Sequence, residues 1–172
     1  MTLLVLSLGS NVDARANILL AVKSLRRKFG VLSMSPVYES EAVGFSGSNF
    51  LNLVASVESS FSLEEIKGYL KRLEDSLGRE RDKPKFSDRP IDIDILLFGD
   101  SNGEGSSLSL PRAEILSNAF VLRPLAELHP DLQHSALGSS FDQLCSNYAV
   151  RREENHLNES KRILPDSIQT LV

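Results

Sequence analysis

The sequence has a single cysteine, Cys145, and no tryptophan. A lone thiol excludes an intramolecular disulfide and makes a reducing compartment the natural one. Aromatic residues are few, 6% of the chain, yet 41% of the 172 residues are hydrophobic, which suits one domain with one sizeable core. Excess positive charge is missing too. The formal net charge is −4, which argues against a broad nucleic-acid partner, since that needs a basic face. No hydrophobic run is long enough to cross a membrane. Met1–Leu8 is apolar, but it lacks a basic start and stops at Gly9-Ser10-Asn11, so it reads as a first strand rather than a signal peptide. The expectation is a soluble, cytoplasmic protein with neither a membrane nor a nucleic acid as partner. A Gly-x4-Gly-Lys-[Ser/Thr] motif is absent, which excludes a P-loop NTPase. None of the three histidines has a readable partner, and Cys145 lies near the end of the fold. Both facts argue against a nucleophilic triad. Repeats and low-complexity segments are absent.

The chemistry that is present gathers in Arg79–Phe98, RERDKPKFSDRPIDIDILLF. Ile91 to Ile95 alternates apolar and acidic residues, and Leu96-Leu97-Phe98 is wholly apolar. Period two means a strand, with Asp92 and Asp94 on one face about 6.6 Å apart at Cα. Two parallel carboxylates can share a divalent cation or hold two, and an oxygen-only set suits Mg²⁺. Upstream, Arg79, Arg81, Lys83, Lys85 and Arg89 sit in a segment broken by Pro84, Ser87 and Asp88, a charged loop. A cationic loop feeding a carboxylate-bearing strand is what metal-assisted phosphoryl transfer needs. A lone D-x-D is more often a solvated strand face. The apolar end of this strand points instead to the sheet interior, where acids need a partner: the basic loop first, a metal next.

Leu3–Leu8 reads as a central strand, and Asn11 or Asp13 can cap a helix carrying Ile18, Leu19, Val22, Leu25 and Phe29, which Gly30 ends. Val31–Ser40 is a strand bent at Pro36, Glu41–Asn49 a loop, and Phe50–Glu58 an alternating strand with Phe50, Asn52, Val54 and Ser56 on one face. Ser62 and Glu65 form a capping box that opens a helix from about Leu63 to Leu77, stopped by Gly78. After the acidic strand, a turn-rich stretch, a short strand at Ser106–Leu110 and a helix at about Phe120–Leu128 interrupted by Pro124 are expected. A closing helix at Phe141–Tyr148 follows, then a polar tail, residues 151–172, expected to be loosely held. The order β-α-β-β-α-β is that of a ferredoxin-like α+β fold, an antiparallel sheet with helices packed on one face, as a single domain over residues 1–150.

Gly9-Ser10-Asn11, Tyr38 with Ser40, Phe50-Leu51-Asn52, Glu74 with Gly78-Arg79, Arg89-x-x-Asp92-x-Asp94-Ile95-Leu96, Leu110-Pro111 and Phe120 with Pro124-Leu125 together carry a resemblance. From Met1 to about Tyr148 the chain resembles the 6-hydroxymethyl-7,8-dihydropterin pyrophosphokinase family, ATP-dependent transferases of folate biosynthesis. The resemblance implies pyrophosphoryl transfer from ATP to the pterin alcohol, giving AMP. It implies that Asp92 and Asp94 bind two Mg²⁺ ions and that Arg79 and Arg89 are catalytic arginines of a closing loop. For the pterin it implies Ser40, Val43, Phe50, Asn52 and Phe120. For the nucleotide it implies Lys71, Glu74, Arg81, Lys85, Phe86, Ile95 and Arg112. A flat polar heterocycle wants an aromatic face and amide donors and acceptors, in agreement with the pterin set.

Without the resemblance, Phe120 reads as core, Arg79 as a partner for the helix dipole and Arg89 as a partner of Asp92. The departures from the family pattern fall on the nucleotide side. Phe86-Ser87-Asp88 replaces the usual Trp-Gly-Pro, Arg112 stands where histidine is usual, and Asn118 and Ser107 replace cationic residues. Two alternatives stay open: a paralogue that binds pterin or nucleotide but catalyses weakly, and an unrelated ferredoxin-like protein whose D-x-D serves nucleotidyl transfer. Asn52 and Phe120 discriminate, because the second has no need of a pterin slot.

Overall fold

In a computed structural model that describes all residues except 83, 85, 86, 102–107, 156–159 and 163–172, the alternating segments become the strands expected of them. The chain runs β1 (Thr2–Ser10), α1 (Ala14–Phe29), β2 (Ser33–Met34), β3 (Tyr38–Ser40), β4 (Phe50–Ser59), α2 (Leu63–Ser76) and β5 (Asp92–Phe98). It continues through α3 (Glu114–Ser117), α4 (Ala119–Leu128), α5 (Phe141–Asn155) and β6 (Ser160–Arg162). The antiparallel sheet has the order β5-β1-β4-β3-β6, and β2 also pairs with β4. Pro36 separates β2 from β3, as the bend predicted.

Period two sorts the core into two halves. Leu4, Leu6 and Leu8 of β1, Leu53, Ala55 and Val57 of β4, and Ile93 and Ile95 of β5 face α1 and α2. Val5, Val54, Leu96 and Leu97 face the other way, against α3, α4 and α5. A bulge makes the second set possible. Val5 pairs with Leu97 but Leu6 with Ile95, so Leu96 is an extra residue and both leucines reach the same side. Helices therefore cover both faces of the sheet rather than the one expected. The reason is that Val5, Val54, Leu96 and Leu97 form an apolar patch that water cannot be left to cover.

Other differences are local. α4 passes through buried Pro124 without a break; the backbone bond the proline lacks is outweighed by the burial of its own turn. Leu108–Leu110 belongs to no strand, and the rest of that expected strand lies outside the described residues. α5 runs beyond Tyr148 to Asn155, and Ser160–Arg162 pairs with β3. The polar C-terminal residues thus take part in the sheet, because main-chain pairing at an open edge does not depend on apolar side chains. At α1, Asp13 enters with a left-handed φ of 43° and caps nothing with its side chain.

Two turns place the chemistry. The Ser62–Glu65 capping box opens α2 as predicted, and Gly78 leaves it at a φ of 91° that a side chain would strain. That reversal folds Arg79 back onto the end of α2, where its N–H donates to the Glu74 carbonyl at 3.1 Å.

Candidate active site

Register sets the floor of the site. Gly9 of β1 lies opposite Asp92 on one side and Asn52 on the other, and Ser7 lies opposite Asp94 and Val54. These residues share one sheet face at cross-strand spacing of about 4.5–5.5 Å. A Cβ on Gly9 would come within 3.1 Å of Asn52 Oδ1, so the glycine leaves room for the amide. The face continues past the ends of α3 and α4 into a cavity of about 460 Å³.

One wall is aromatic and amide. Asn52 is buried and donates from Nδ2 to Ser40 Oγ at 2.9 Å. Phe50 and Phe120 line the cavity from β4 and α4, and Phe45 meets Phe50 edge-on at 6.3 Å between ring centres. Tyr38 ties α4 to the sheet by donating to Glu127 Oε2 at 2.5 Å. Val43 and Glu41 come from the loop after β3. An enclosed ring with a polar edge matches such a wall.

The opposite wall is charged. Arg79 pairs with Asp92 and, at 2.7 Å, with Glu74 Oε1. Arg112 reaches Asp94 Oδ1 at 3.4 Å and Glu114 Oε1 at 3.0 Å, both through Nη2. Burial, then the neighbouring Asp92 charge, pushes the Asp94 carboxyl up to about 6, with Arg112 pulling the other way. Glu74 lies beneath this wall. It accepts from Arg79, from Arg81 Nη2 at 3.0 Å and from the Ile93 N–H at 2.8 Å. Burial raises its pKa despite these donors.

Arg89 enters the cavity from a loop segment clamped at its backbone. Its N–H donates to Asn11 Oδ1 at 2.7 Å, its carbonyl accepts from the Asn11 N–H at 3.0 Å, and Ser10 Oγ donates to the Pro90 carbonyl at 2.5 Å. Asn11 Nδ2 also donates to Asp88 Oδ1 and to the Ser48 carbonyl. These bonds occupy Asn11, which explains why it does not cap α1.

The carboxylate pair fits a hard divalent cation. Asp92 and Asp94 remain 36% and 49% exposed at their side chains, and both donors are oxygen. Among the described residues no group of three or more His, Cys, Asp or Glu gathers as a metal cluster. A cation here takes few protein oxygens and leaves positions open to water and phosphate, the habit of Mg²⁺.

Arg79, Arg89, Asp92, Asp94, Ser40, Val43, Phe50, Asn52, Phe120 and Arg112 all line this one cavity, and so does Asn118. The remaining nucleotide candidates do not. Glu74 is beneath it, Ile95 is in the core behind it, Lys71 is exposed on α2, and Arg81 pairs with Asp75 and Glu74. Lys85, Phe86 and Ser107 lie outside the described residues. Ser7, Phe45, Ser87, Leu96, Glu114 and Val121 line the cavity unannounced. Ser7 and Gly9 had a readable signal: two small residues at alternate positions of a strand otherwise filled with leucine and valine.

Comparison with known proteins bears on this geometry. The family model for 7,8-dihydro-6-hydroxymethylpterin-pyrophosphokinase (HPPK) matches residues 5–130. The 2-amino-4-hydroxy-6-hydroxymethyldihydropteridine pyrophosphokinase of Aquifex aeolicus is 37% identical over 131 residues, 75% of this chain and 81% of that protein. The Bacillus subtilis protein of the same name is 31% identical over 142 residues, 80% and 84% of the two chains. The solved structure of Plasmodium falciparum HPPK-DHPS superposes with a TM-score of 0.75 over 94% of this chain at 16% identity, a likeness of fold. This chain spans 44% of that longer one.

Proposed function

Because the chain belongs to the 7,8-dihydro-6-hydroxymethylpterin-pyrophosphokinase family, we propose that it transfers pyrophosphate from ATP to 6-hydroxymethyl-7,8-dihydropterin, a folate-biosynthetic step that releases AMP. The observation that carries the reading is one cavity with an amide–aromatic wall facing two carboxylates and three arginines. The pterin ring lies between Phe50 and Phe120, with the Asn52 amide and the polar groups near Ser40 and Val43 on its edge. Such groups discriminate strongly, because a mismatched ring leaves buried donors unpaired. Its hydroxymethyl oxygen then faces Asp92 and Asp94.

In the transfer, that oxygen attacks the β-phosphorus, the bond from the β-phosphorus to the bridging oxygen of the α-phosphate breaks, and the hydroxyl proton is released. Asp92 and Asp94 would hold two Mg²⁺ ions, which would supply Lewis-acid charge to the phosphates. Arg89 and Arg79 meet the remaining phosphate charge, which the Asn11 clamp and Glu74 hold them ready to do. Arg112 and Asn118 face the triphosphate. Lys71, Arg81, Lys85, Phe86 and Ile95 are proposed nucleotide contacts on the resemblance alone, and Ile95 would act through its backbone. Catalysis is assigned to residues 1–150 and to the cytoplasm. Among the described residues no helix is long and apolar enough to cross a membrane.

The test is incubation with ATP, Mg²⁺ and the hydroxymethyl-dihydropterin, reading AMP and the pyrophosphorylated pterin. Inorganic phosphate or ADP as the product would refute the reading. A second reading has support from Asn118, which lines the cavity uncharged where the family usually has a cation: a protein that binds pterin and catalyses weakly. Pterin binding without AMP at any ATP concentration selects it.

A further inference from the structure

The two carboxylates of β5 are each met by an arginine, but the two pairs are not built alike. Arg79 is anchored from below by buried Glu74, and its side chain is only 15% exposed. Among the described residues Arg112 has no such anchor. Its guanidinium reaches Asp94 and Glu114 through Nη2 alone, at 3.4 and 3.0 Å, and Glu114 is itself 45% exposed. Among the described residues its buried Nε has no hydrogen-bond partner. The planar fork that arginine presents to a carboxylate is therefore unused. The backbone is by contrast fixed, since the Arg112 N–H donates to the Leu96 carbonyl at 3.1 Å, two residues along the strand from Asp94.

We propose that Arg112 is a displaceable counter-cation for Asp94, which holds a divalent ion off that carboxylate until a triphosphate arrives to take the guanidinium. The inference rests on the assignment of Asp94 as a cation ligand. A side chain with a fixed root, a long single-nitrogen contact and an unsatisfied buried Nε has somewhere better to go. An incoming phosphate group offers two oxygens to the guanidinium fork, whereas Asp94 and Glu114 each meet Nη2 alone. Once the guanidinium moves, Asp94 is short of positive charge, and the cation that accompanies the nucleotide replaces it. The exchange couples the two ligands: either binds better when the other is present. A histidine at this place carries less charge near neutrality, so the coupling is a property of the arginine in this chain.

The experiment titrates Mn²⁺ as the probe into the whole protein, reading bound ion by electron paramagnetic resonance, with and without a non-hydrolysable ATP analogue. Without nucleotide, Arg112→Gln should bind Mn²⁺ about 1.5- to fivefold more tightly than the wild type, the range of one partly exposed ion pair. With nucleotide the difference should shrink or reverse, because the variant lacks the phosphate contact. Arg112→Lys should keep nucleotide-free affinity near wild type, because it retains the charge. Asp94→Asn serves as the control. If Mn²⁺ binding is lost in Asp94→Asn but is unchanged by Arg112→Gln, the counter-cation role is overturned while the metal site stands. If Asp94→Asn alters nothing, both fail together.

Discussion

Glu74 tests most directly how the site is built, because its carboxylate is shared three ways under the cavity wall. β5 is an edge strand, and among the described residues no neighbouring strand accepts the outward Ile93 N–H; Glu74 Oε1 does so at 2.8 Å. The same carboxylate holds Arg79 at 2.7 Å and Arg81 at 3.0 Å, and the residue is 6% exposed. Glu74→Ala removes a buried acceptor from one N–H and one of two partners from Arg79. An unmet buried N–H costs about 1–3 kcal/mol, and breaking a buried ion pair about 3–5 kcal/mol. Arg79 keeps Asp92 and Arg81 is partly exposed, so the loss should fall near the low end, about 3–4 kcal/mol. For a chain of this size that lowers Tm by roughly 6–15 °C. Glu74→Gln keeps an acceptor for Ile93 but not the charge, and should lose about half as much.

The assay is urea unfolding in the presence of a chelator, paired with steady-state kinetics on the folded fraction. Freed from Glu74, Arg79 should lose its position, so kcat should fall more than pterin affinity does. The reasoning is refuted if Glu74→Ala costs less than about 1 kcal/mol and acts only on the KM for ATP. That result would make Glu74 a nucleotide contact and not a support for Arg79 and Ile93.

Other substitutions probe the cavity itself. Asp92→Ala and Asp94→Ala should abolish AMP formation with the unfolding transition retained; near-normal turnover in either would remove the two-carboxylate site. Arg89→Ala should lower kcat by far more than it weakens pterin binding, which equilibrium titration with the pterin checks. Asn118→Arg should lower the KM for ATP and Arg112→Ala should raise it, within roughly the 10- to 150-fold of one charged hydrogen bond; no change in either would place the phosphates elsewhere. In chelator, Asp94→Asn should raise Tm at pH 8 but little at pH 4. The folded carboxyl keeps its proton to about pH 6 while the unfolded one loses it near 3.8, so stability falls as pH rises between those values. Because the side chain is half exposed, the effect should be on the order of 1 kcal/mol after solvent screening.

Local period carried most of the fold in the sequence. The faces of β4 and β5, the capping box at Ser62 and the stop at Gly78 follow from alternation, a cap and a glycine, each a short-range cause. The second helical layer was not legible, because it depends on the bulge at Leu96. That bulge turns two successive leucines to one side, and a one-residue register shift leaves no mark in composition. The site shows the same division. Asp92, Asp94 and Asn52 are readable as polar residues on strand faces, whereas Glu74 reads as an ordinary helix residue until Gly78 returns Arg79 to it. The role of Asn11 was also hidden, since a residue after a strand and before a helix looks like a cap. Its actual partners lie near Arg89 and Ser48, far along the chain. A polar side chain chooses among partners by distance, and distances between remote segments are what a sequence omits.

On the proposed function, charge gives a reason for the cation and the nucleotide to arrive as one. Among the described residues lining the cavity, Glu41, Asp92, Asp94 and Glu114 are acidic, and Arg79, Arg89 and Arg112 are basic. The arginines are spent on carboxylates in this state: Arg79 on Asp92, Arg112 on Asp94 and Glu114. A triphosphate entering alone would take the guanidiniums and leave Asp92 and Asp94 facing both each other and the phosphate. A divalent cation entering alone would have to displace Arg79 and Arg112 and leave them only Glu74 and Glu114 as partners. Together the cost largely cancels, because each arginine passes from carboxylate to phosphate as each carboxylate passes from arginine to cation. The number of favourable ion contacts rises and none is left open. On the proposed function the cavity is therefore matched to the metal–nucleotide complex rather than to either part, an arrangement that would bring charge to the phosphates only when there is a phosphate to transfer.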